Sequence, residues 1–277
     1  MIGGESRTVK LTTYLFTSDT HSGGSTALMP EITHDLSGDE VMMLRDRSEI
    51  QKIIYEQWLD VARKVKETRR IREQVVWIMN GDAVEGDHHN TPQLVTKYLS
   101  HQAYMHIQSV KEARALMGWK KTDRALYVAG TPIHVGEWER LAADALRAEF
   151  HPIIKMNTPA GQLWVTHHGA SGGRGANAGN ALTNRIRDEL VTALTHGKTP
   201  PRFVVYSHHH MKRHRQIELG NHKVDGWILP SFQYKTSFGY RVAPFEPEHI
   251  GGLIMKINRD GTWSYKWETL EREEIIL

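Results

Sequence analysis

Aspartate and histidine residues recur in short groups along this chain of 277 residues, which contains 17 histidines. The groups are Asp19-Thr20-His21, Gly81-Asp82-Ala83-Val84-Glu85, Thr166-His167-His168-Gly169 and Ser207-His208-His209-His210. Imidazole nitrogens and carboxylate oxygens together suit Mn, Fe, Zn or Ni, whereas Mg and Ca prefer shells made only of oxygen. One such group is a weak signal, because it arises often by chance. Their repeated occurrence predicts a site for divalent transition-metal ions.

Each group follows a short run of β-branched and aromatic residues, which is typical of a strand. These runs cover residues 12–18, 75–80, 162–166 and 203–207, another lies at 125–129, and later candidates are 226–229, 253–257 and 263–267. A strand end that carries ligands is informative, because ligands in layered α/β folds bind beyond the carboxyl ends of the strands. The sequence therefore predicts that the groups meet at one edge.

Four helical patterns separate these strands. The first opens at Ser37, with Glu40 spelling a capping box, and continues at helical spacing to Val65. The second begins at Thr91-Pro92 and ends near Gly118, and the others cover residues 137–149 and 182–197. Strands that alternate with helices predict an α/β fold built in layers. No linker divides the chain, so we expect a single domain over residues 1–277.

Composition narrows the class of protein. The chain has no cysteine, which excludes disulfides, thiolate zinc sites and cysteine nucleophiles. No apolar run approaches the 18 or more residues of a membrane span, and the first residues lack the apolar segment of a signal peptide. We therefore expect a cytoplasmic protein without a membrane partner. The net charge of +3 allows an anionic substrate without requiring nucleic acid.

In order, the groups resemble the motifs D-x-H, G-D-x-x-[DE], G-N-H-[DE], H-G and G-H-x-H of the calcineurin-like metallophosphoesterase superfamily. The resemblance spans residues 19 to 210, and its third block is altered to Gly130-Thr131-Pro132-Ile133-His134. That altered block and the continuation Gly86-Asp87-His88-His89 look like a subset often encoded by bacteriophages. The resemblance implies two mixed β-sheets packed as a sandwich and flanked by helices.

The resemblance also implies two divalent metal ions, with Mn the first expectation and Fe, Zn or Ni as alternatives. The implied ligands are Asp19, His21 and His210 for the first ion, His168 and His208 for the second, and Asp82 as a bridge between both. His167 and His209 are expected to point away or to support the ligands through hydrogen bonds. Glu85 is expected to hydrogen-bond a ligand histidine.

Thr131 stands where the superfamily places an asparagine ligand. A hydroxyl is a weaker neutral ligand than an amide oxygen, so we expect the second ion to be held less firmly than the first. Two ions about 3.5–4 Å apart can bind a hydroxide between them for in-line attack on phosphorus. His134 is the candidate to protonate the leaving group. Its alternative role is to cap the following helix or to pack against Trp138.

Substrate contacts have two interpretations each. Arg174, in the glycine-rich stretch 169–179, either binds phosphate or lies in an exposed loop, and His88 either contacts substrate or is solvated. Basic and aromatic residues between Lys212 and Arg241, including Phe232 and Tyr234, either bind nucleic acid or belong to the surface of the sandwich.

The leading hypothesis for the function is hydrolysis of a phosphodiester in a nucleotide or nucleic acid. A phosphomonoesterase or protein phosphatase of the same fold is the first alternative, because the same metal set serves many phosphate esters. A metal-binding scaffold without turnover is the second, and the alteration at Thr131 favours it. A metallohydrolase that acts on carbon esters or amides is the third.

Overall fold

The computed structural model describes residues 11–31, 47–87, 93–170, 173, 177, 179–242 and 246–271. The strands are β1 (Thr12–Thr17), β2 (Gln74–Asn80), β3 (Arg124–Val128), β4 (Glu149–His151), β5 (Ile154–Thr158), β6 (Gly161–Val165), β7 (Pro201–Tyr206), β8 (Arg213–Leu219), β9 (His222–Ile228), β10 (His249–Ile257) and β11 (Trp263–Glu271). The helices are α1 (Glu49–Thr68), α2 (Leu99–Met117), α3 (Pro132–Val135), α4 (Trp138–Ala145), α5 (Asn180–Thr195) and α6 (Ser237–Val242).

The strands form two mixed sheets. The first has the order β11-β10-β1-β2-β3-β4, in which β1 to β4 are parallel and β10 runs antiparallel beside β1. The second has the order β5-β6-β7-β9-β8, in which β7 lies parallel to both β6 and β9. Two mixed sheets with flanking helices confirm the predicted fold class. The single-domain interpretation stays a prediction.

The central strands are buried on both faces, which explains their nearly continuous apolar sequence. Alternate residues of a strand point to opposite faces. In β2, Val75, Trp77 and Met79 therefore face α1 and α2, whereas Val76 and Ile78 face the second sheet. The inter-sheet core fixes how the two sheets lie against each other, and with it the relative positions of the loops at their ends.

Helices cover both outer faces of the sandwich. Helix α1 packs on α2 and on β10, and its Trp58, which is 1% exposed, meets Phe232 edge to face with ring centroids 4.8 Å apart. Helix α5 covers the second sheet with Leu182, Ile186 and Leu190. Among the described helices, none is long and apolar enough to cross a membrane.

Two helix starts differ from the predictions. Helix α1 begins at Glu49, where Ser48 and Gln51 form the capping box, and the proposed box at Ser37 and Glu40 lies outside the described residues. Helix α2 begins at Leu99, and the proposed start at Thr91-Pro92 also lies outside them. Residues 93–98 are not helical, because their backbone bonds the loop after β1. Val95 N donates to Gly23 O at 2.8 Å, for example.

The third helical pattern, residues 137–149, contains α4, which already ends at Ala145. The short helix α3 precedes it and is separated from it by Gly136, with a φ of 49°. On α4 the apolar Leu141 is 48% exposed, while the acidic Glu139 is completely buried. The inward position belongs to the glutamate because its carboxylate accepts backbone N–H groups from two neighbouring loops. The prediction also missed the short strands β4 and β5 and the polar edge strand β8, whose pattern is mostly exposed.

Candidate metal centre

The predicted ligand groups meet where the carboxyl ends of four parallel strands converge. Loops after β1 and β2 come from the first sheet, and loops after β6 and β7 come from the second. A hydrogen bond of 3.1 Å from Asn80 Nδ2 to Thr166 O joins the two sheets directly beneath the loops. The inter-sheet junction therefore brings together residues that lie as much as 191 positions apart, from Asp19 to His210.

Three overlapping sets of side chains have ligand atoms within 4.8 Å of one another. They are Asp19, His21 and His210; Asp19, Asp82, His167 and His208; and His167, His168 and His208. All six histidines and aspartates expected as ligands belong to these sets, together with His167. A buried cluster of carboxylates and imidazoles with this density can bind metal ions.

Asp19 has the clearest sign of a missing partner. The residue is completely buried, and its Oδ1 accepts no hydrogen bond. Its Oδ2 accepts from His208 N at 3.2 Å, while Oδ1 lies 3.4 Å from His210 Nε2. A buried carboxylate oxygen without a donor costs free energy, and a cation at this position removes that cost. The donor set of the cluster therefore fits a metal ion.

Glu85 orients His21. Its Oε2 lies 3.0 Å from His21 Nδ1 and accepts a hydrogen bond of 2.7 Å from Gln233 Nε2. With Nδ1 held in this way, His21 Nε2 points to the cluster and lies 3.3 Å from His210 Nε2. A carboxylate behind a metal-binding imidazole fixes the ring and raises its basicity. The predicted contact between Glu85 and a ligand histidine is present.

The cluster has two halves: the first contains Asp19, His21 and His210, and the second contains His167, His168 and His208. Asp82 lies between them. Its Oδ2 is 3.1 Å from His167 Nε2, 3.8 Å from His208 Nδ1 and 4.0 Å from His21 Nε2. The carboxylate is almost completely buried, at 1% exposure. A single carboxylate that reaches imidazoles of both halves has the geometry of a bridging ligand.

His167 lies inside the cluster. It was expected to point away or to support the ligands through hydrogen bonds, and it does not point away: it is 1% exposed, and its Nδ1 lies 2.7 Å from Asn80 O. That hydrogen bond leaves Nε2 to face Asp82. His168, the expected ligand, is exposed on the open side, although its ring stays within the cluster. Strand parity contained the signal, because Leu163 and Val165 also face inward.

Thr131 occupies the centre of the second half. Its backbone N–H donates to Asp82 Oδ1 at 2.6 Å, and its hydroxyl donates to Asp82 Oδ2 at 3.1 Å. The hydroxyl also lies 3.3 Å from His168 Nε2 and 3.5 Å from both His167 Nε2 and His208 Nδ1. Thr131 therefore holds the bridging carboxylate in place and stands among the imidazoles.

The backbone is strained at the same residues. Among the described residues, six that are not glycine have positive φ, and all except Arg147 belong to the cluster: Asp19 (49°), His21 (43°), Asp82 (51°), His208 (72°) and His210 (51°). Such conformations cost roughly 1–3 kcal/mol each and persist only where the surroundings enforce them. The strain turns these side chains towards one point, which is a property of functional sites.

The charges of the cluster shift the pKa values of its own residues. Burial alone lowers the pKa of His21 and of His167, but nearby carboxylates outweigh it and raise both values to about 9. Burial alone raises the pKa of Asp19, but the imidazoles of His167 and His210 lower it to about 2. The carboxylates thus attract positive charge, whether it comes from protons or from metal ions.

Glu139 is a residue of the site that the sequence analysis missed. Its Oε1 accepts from Ala83 N at 2.9 Å and its Oε2 accepts from Gly130 N at 2.7 Å. Burial raises the pKa of Glu139 to about 7, although these two N–H groups partly oppose the shift. One carboxylate thereby joins the loop that carries Asp82 to the loop that carries Thr131.

Other expected site residues are only partly placed. His88 and Arg174 lie outside the described residues. His134 lies in α3, the short helix that begins directly after Thr131. Its role in proton transfer stays a prediction. The proposed stacking surface is wrong for Phe232 and Tyr234, because they are 0% and 3% exposed and pack in the core.

No family model matches the sequence, and no curated protein matches it. Similar solved structures include the sulfate thiohydrolase SoxB of Thermus thermophilus, with 11% identity, a TM-score of 0.40, and coverage of 94% of this chain and 56% of that one. Protein TM1076 of Thermotoga maritima has 11% identity, a TM-score of 0.37 and coverage of 94% and 99%. The phosphopantetheinyl hydrolase PptH of Mycobacterium tuberculosis has 9% identity, a TM-score of 0.33 and coverage of 84% and 93%. The residues of the cluster therefore carry the functional argument by themselves.

Proposed function

We propose that this protein hydrolyses a phosphodiester at a centre of two divalent metal ions. The observation that carries the proposal is the position of Asp82, whose carboxylate lies between two groups of imidazoles, beside the unpartnered oxygen of Asp19. A shared carboxylate is the ligand that sets the distance between paired ions in enzymes of phosphate esters. The resemblance to the calcineurin-like superfamily agrees with this chemistry, and its bacteriophage-type subset stays a prediction.

The proposed ligands follow the three sets of side chains. Asp19, His21 and His210 would hold the first ion, His167 and His208 the second, and Asp82 both. His168 would complete the second position from its open side. Mn is the first expectation, and the mixture of nitrogen and oxygen ligands also suits Fe, Zn or Ni.

When bound, the ions supply Lewis acidity that neutralises phosphate oxygens and lowers the pKa of the attacking water. The chain supplies the positioning. Asp82 sets the separation of the two positions, and Thr131 keeps its carboxylate from turning. His134 is proposed to give a proton to the leaving oxygen. Arg174 and His88 are proposed to contact the substrate.

A phosphodiester in a nucleotide or nucleic acid is the proposed substrate class. The net charge of +3 allows an anionic substrate, and the exposed His168 and the partly buried Thr131 leave one side of the cluster open to it. Phosphomonoesters are the alternative, because the ligand set serves both classes. A cytoplasmic location stays a prediction.

The test is hydrolysis of bis(p-nitrophenyl) phosphate by metal-stripped protein resupplied with Mn, beside p-nitrophenyl phosphate as the monoester. Activity that returns with Mn and disappears in Asp82→Ala supports the proposal. His209→Ala is the matched control. His209 belongs to the triplet His208-His209-His210, but its Nε2 contacts Ala170 O instead of the cluster. Folded protein that stays inactive on both substrates with Mn, Fe, Zn and Ni would favour a metal-binding scaffold.

A further inference from the structure

His106 is a buried titratable residue to which the proposed chemistry gives no part. It lies on α2, is 1% exposed, and belongs to none of the metal-binding sets. Both ring nitrogens nevertheless have partners. Nδ1 lies 3.0 Å from Thr20 Oγ1, and Nε2 lies 2.7 Å from the hydroxyl of Tyr127. A core histidine held at both nitrogens is fixed in one orientation.

Counting hydrogens assigns the direction of each bond. Thr20 Oγ1 donates its single hydrogen to Ala83 O at 2.8 Å, so His106 Nδ1–H must donate to Thr20 Oγ1. Nε2 then carries no hydrogen and accepts from the hydroxyl of Tyr127. Burial lowers the pKa of His106 to about 3, and the Arg114 guanidinium adds to the shift, so the ring is neutral as this assignment requires.

The last hydrogen bond of this chain joins Thr20 to Ala83, and both residues adjoin proposed metal ligands. Thr20 lies between Asp19 and His21, and Ala83 follows Asp82. The same two loops are joined by a bond of 3.0 Å from His21 N to Asp82 O. The three flanking residues have positive φ, a conformation that relaxes unless neighbouring groups hold it. The hydroxyl of Thr20 is one of the groups that hold it.

We propose that His106 is a positioning residue, which acts through the Thr20 hydroxyl to hold the loop of Asp19 and His21 against the loop of Asp82. Its anchor is rigid, because Tyr127 lies inside β3 and is itself completely buried. The proposal rests on the proposed metal-dependent hydrolysis. Helix α2, which carries His106, would then keep these two loops at a fixed separation around the first ion.

A purely structural histidine would affect stability and leave metal affinity unchanged. The two roles therefore separate in a titration of metal-stripped protein with Mn, followed by calorimetry. Thr20→Val keeps the shape of the side chain but removes the hydroxyl, and we expect it to weaken Mn binding about tenfold or more. Thr20→Ser keeps the hydroxyl and is expected to bind Mn close to wild-type affinity.

His106→Leu should reproduce the effect of Thr20→Val, and His106→Asn should recover part of the affinity, since its amide offers a donor near the position of Nδ1. Ser109→Ala is the matched control on the same helix face. Ser109 is equally buried, but its hydroxyl bonds only Met105 O within α2. We expect this control to bind Mn like the wild type, whatever its stability.

Wild-type affinity in Thr20→Val would overturn the proposal even if His106→Leu failed to fold. So would a loss of affinity in Ser109→Ala as large as that in Thr20→Val, because the effect would then follow from destabilisation. Wild-type protein that takes up none of Mn, Fe, Zn and Ni would overturn the proposed function and this proposal with it. Mn binding by the wild type with unaltered variants would overturn this proposal alone.

Discussion

The two ends of the parallel strands β1, β2 and β3 use buried acids in opposite ways. At the amino ends, Asp123 accepts from Arg69 Nη2 at 2.5 Å, from Val75 N at 3.0 Å and from Lys120 N at 2.7 Å. At the carboxyl ends, Asp19 is just as buried but keeps one oxygen without a donor. One acid is satisfied by the chain, and the other is left for a ligand.

Glu73 repeats the pattern of the amino ends. It is 2% exposed, its Oε2 accepts from Arg70 N at 2.7 Å, and its Oε1 lies 3.3 Å from Lys256 Nζ and contacts the hydroxyl of Thr13. Its partners are hydroxyl, amide and ammonium groups that the fold itself brings there. The difference teaches that burial of an acid does not identify a functional site. A buried oxygen without a donor, as at Asp19, is the additional sign of a ligand position.

The largest effect is expected at the carboxyl ends. Asp82→Asn keeps the shape of the bridging side chain but removes its charge, so both metal positions lose a shared anionic ligand. We expect Mn-dependent hydrolysis to fall by about 10³-fold or more, because the metal centre contributes several kcal/mol to the reaction. Initial rates with bis(p-nitrophenyl) phosphate measure the effect. If Asp82→Asn kept more than a tenth of wild-type activity, the bridging role proposed for Asp82 would be contradicted.

At the amino ends, the corresponding change should act on stability alone. Arg69→Ala leaves Asp123 buried without its cation, and breaking a buried pair costs about 3–5 kcal/mol. Urea unfolding of the metal-free protein gives the loss. Arg63→Ala is the control on the same helix, because Arg63 is 40% exposed and its pairs with Glu56 and Asp60 contribute about 0–1 kcal/mol. Equal losses in the two variants would contradict the structural role of Asp123.

The same substitution at each end sharpens the comparison. Glu85→Gln removes the charge behind His21, and we expect Mn affinity to fall about 10–100-fold, as for other carboxylates that support a metal-binding imidazole. Glu73→Gln should lower the free energy of unfolding and leave Mn affinity unchanged. Calorimetric titration of both variants provides the measurement. An unchanged affinity in Glu85→Gln would contradict a role for the Glu85 charge in supporting His21.

The smallest effect concerns protons. The pKa values of His21 and His167 are about 9, above their ordinary 6.5, so both rings are protonated at neutral pH in the metal-free protein. Their charge stabilises the metal-free fold below pH 6.5, and that contribution is lost as the pH rises through about 9. Metal binding must displace these protons, so Mn affinity should increase with pH up to about 9.

Calorimetry in buffers of different ionisation enthalpy counts the protons that Mn releases. We expect a release at pH 7 that decreases as the pH approaches 9. A release that stays constant over this interval would mean that neither imidazole gives up its proton to the metal. The cations at the amino ends should take no part, so Arg69→Ala is expected to leave the count unchanged.

Most strands and two helix ends were predicted from local patterns, because neither depends on distant contacts. Runs of β-branched residues favour strands, and Gly118 and Gly197 end helices because they adopt positive φ at 65° and 62°. Helix starts were less predictable. A polar segment such as residues 93–98 follows whichever backbone partner the tertiary structure offers, here the loop after β1.

The sequence by itself determined which residue types stand after β1, β2, β6 and β7, and thereby the class of ligand that they can bind. Only the tertiary structure showed that His167 joins His168 in the cluster, because this depends on which way the chain after β6 turns the His167 ring relative to Asp82. It also supplied the hydrogen-bond partners of Glu139 and His106. A buried polar side chain stabilises the fold only if its partners lie within hydrogen-bonding distance, and partners from other loops and strands cannot be read from the neighbouring sequence.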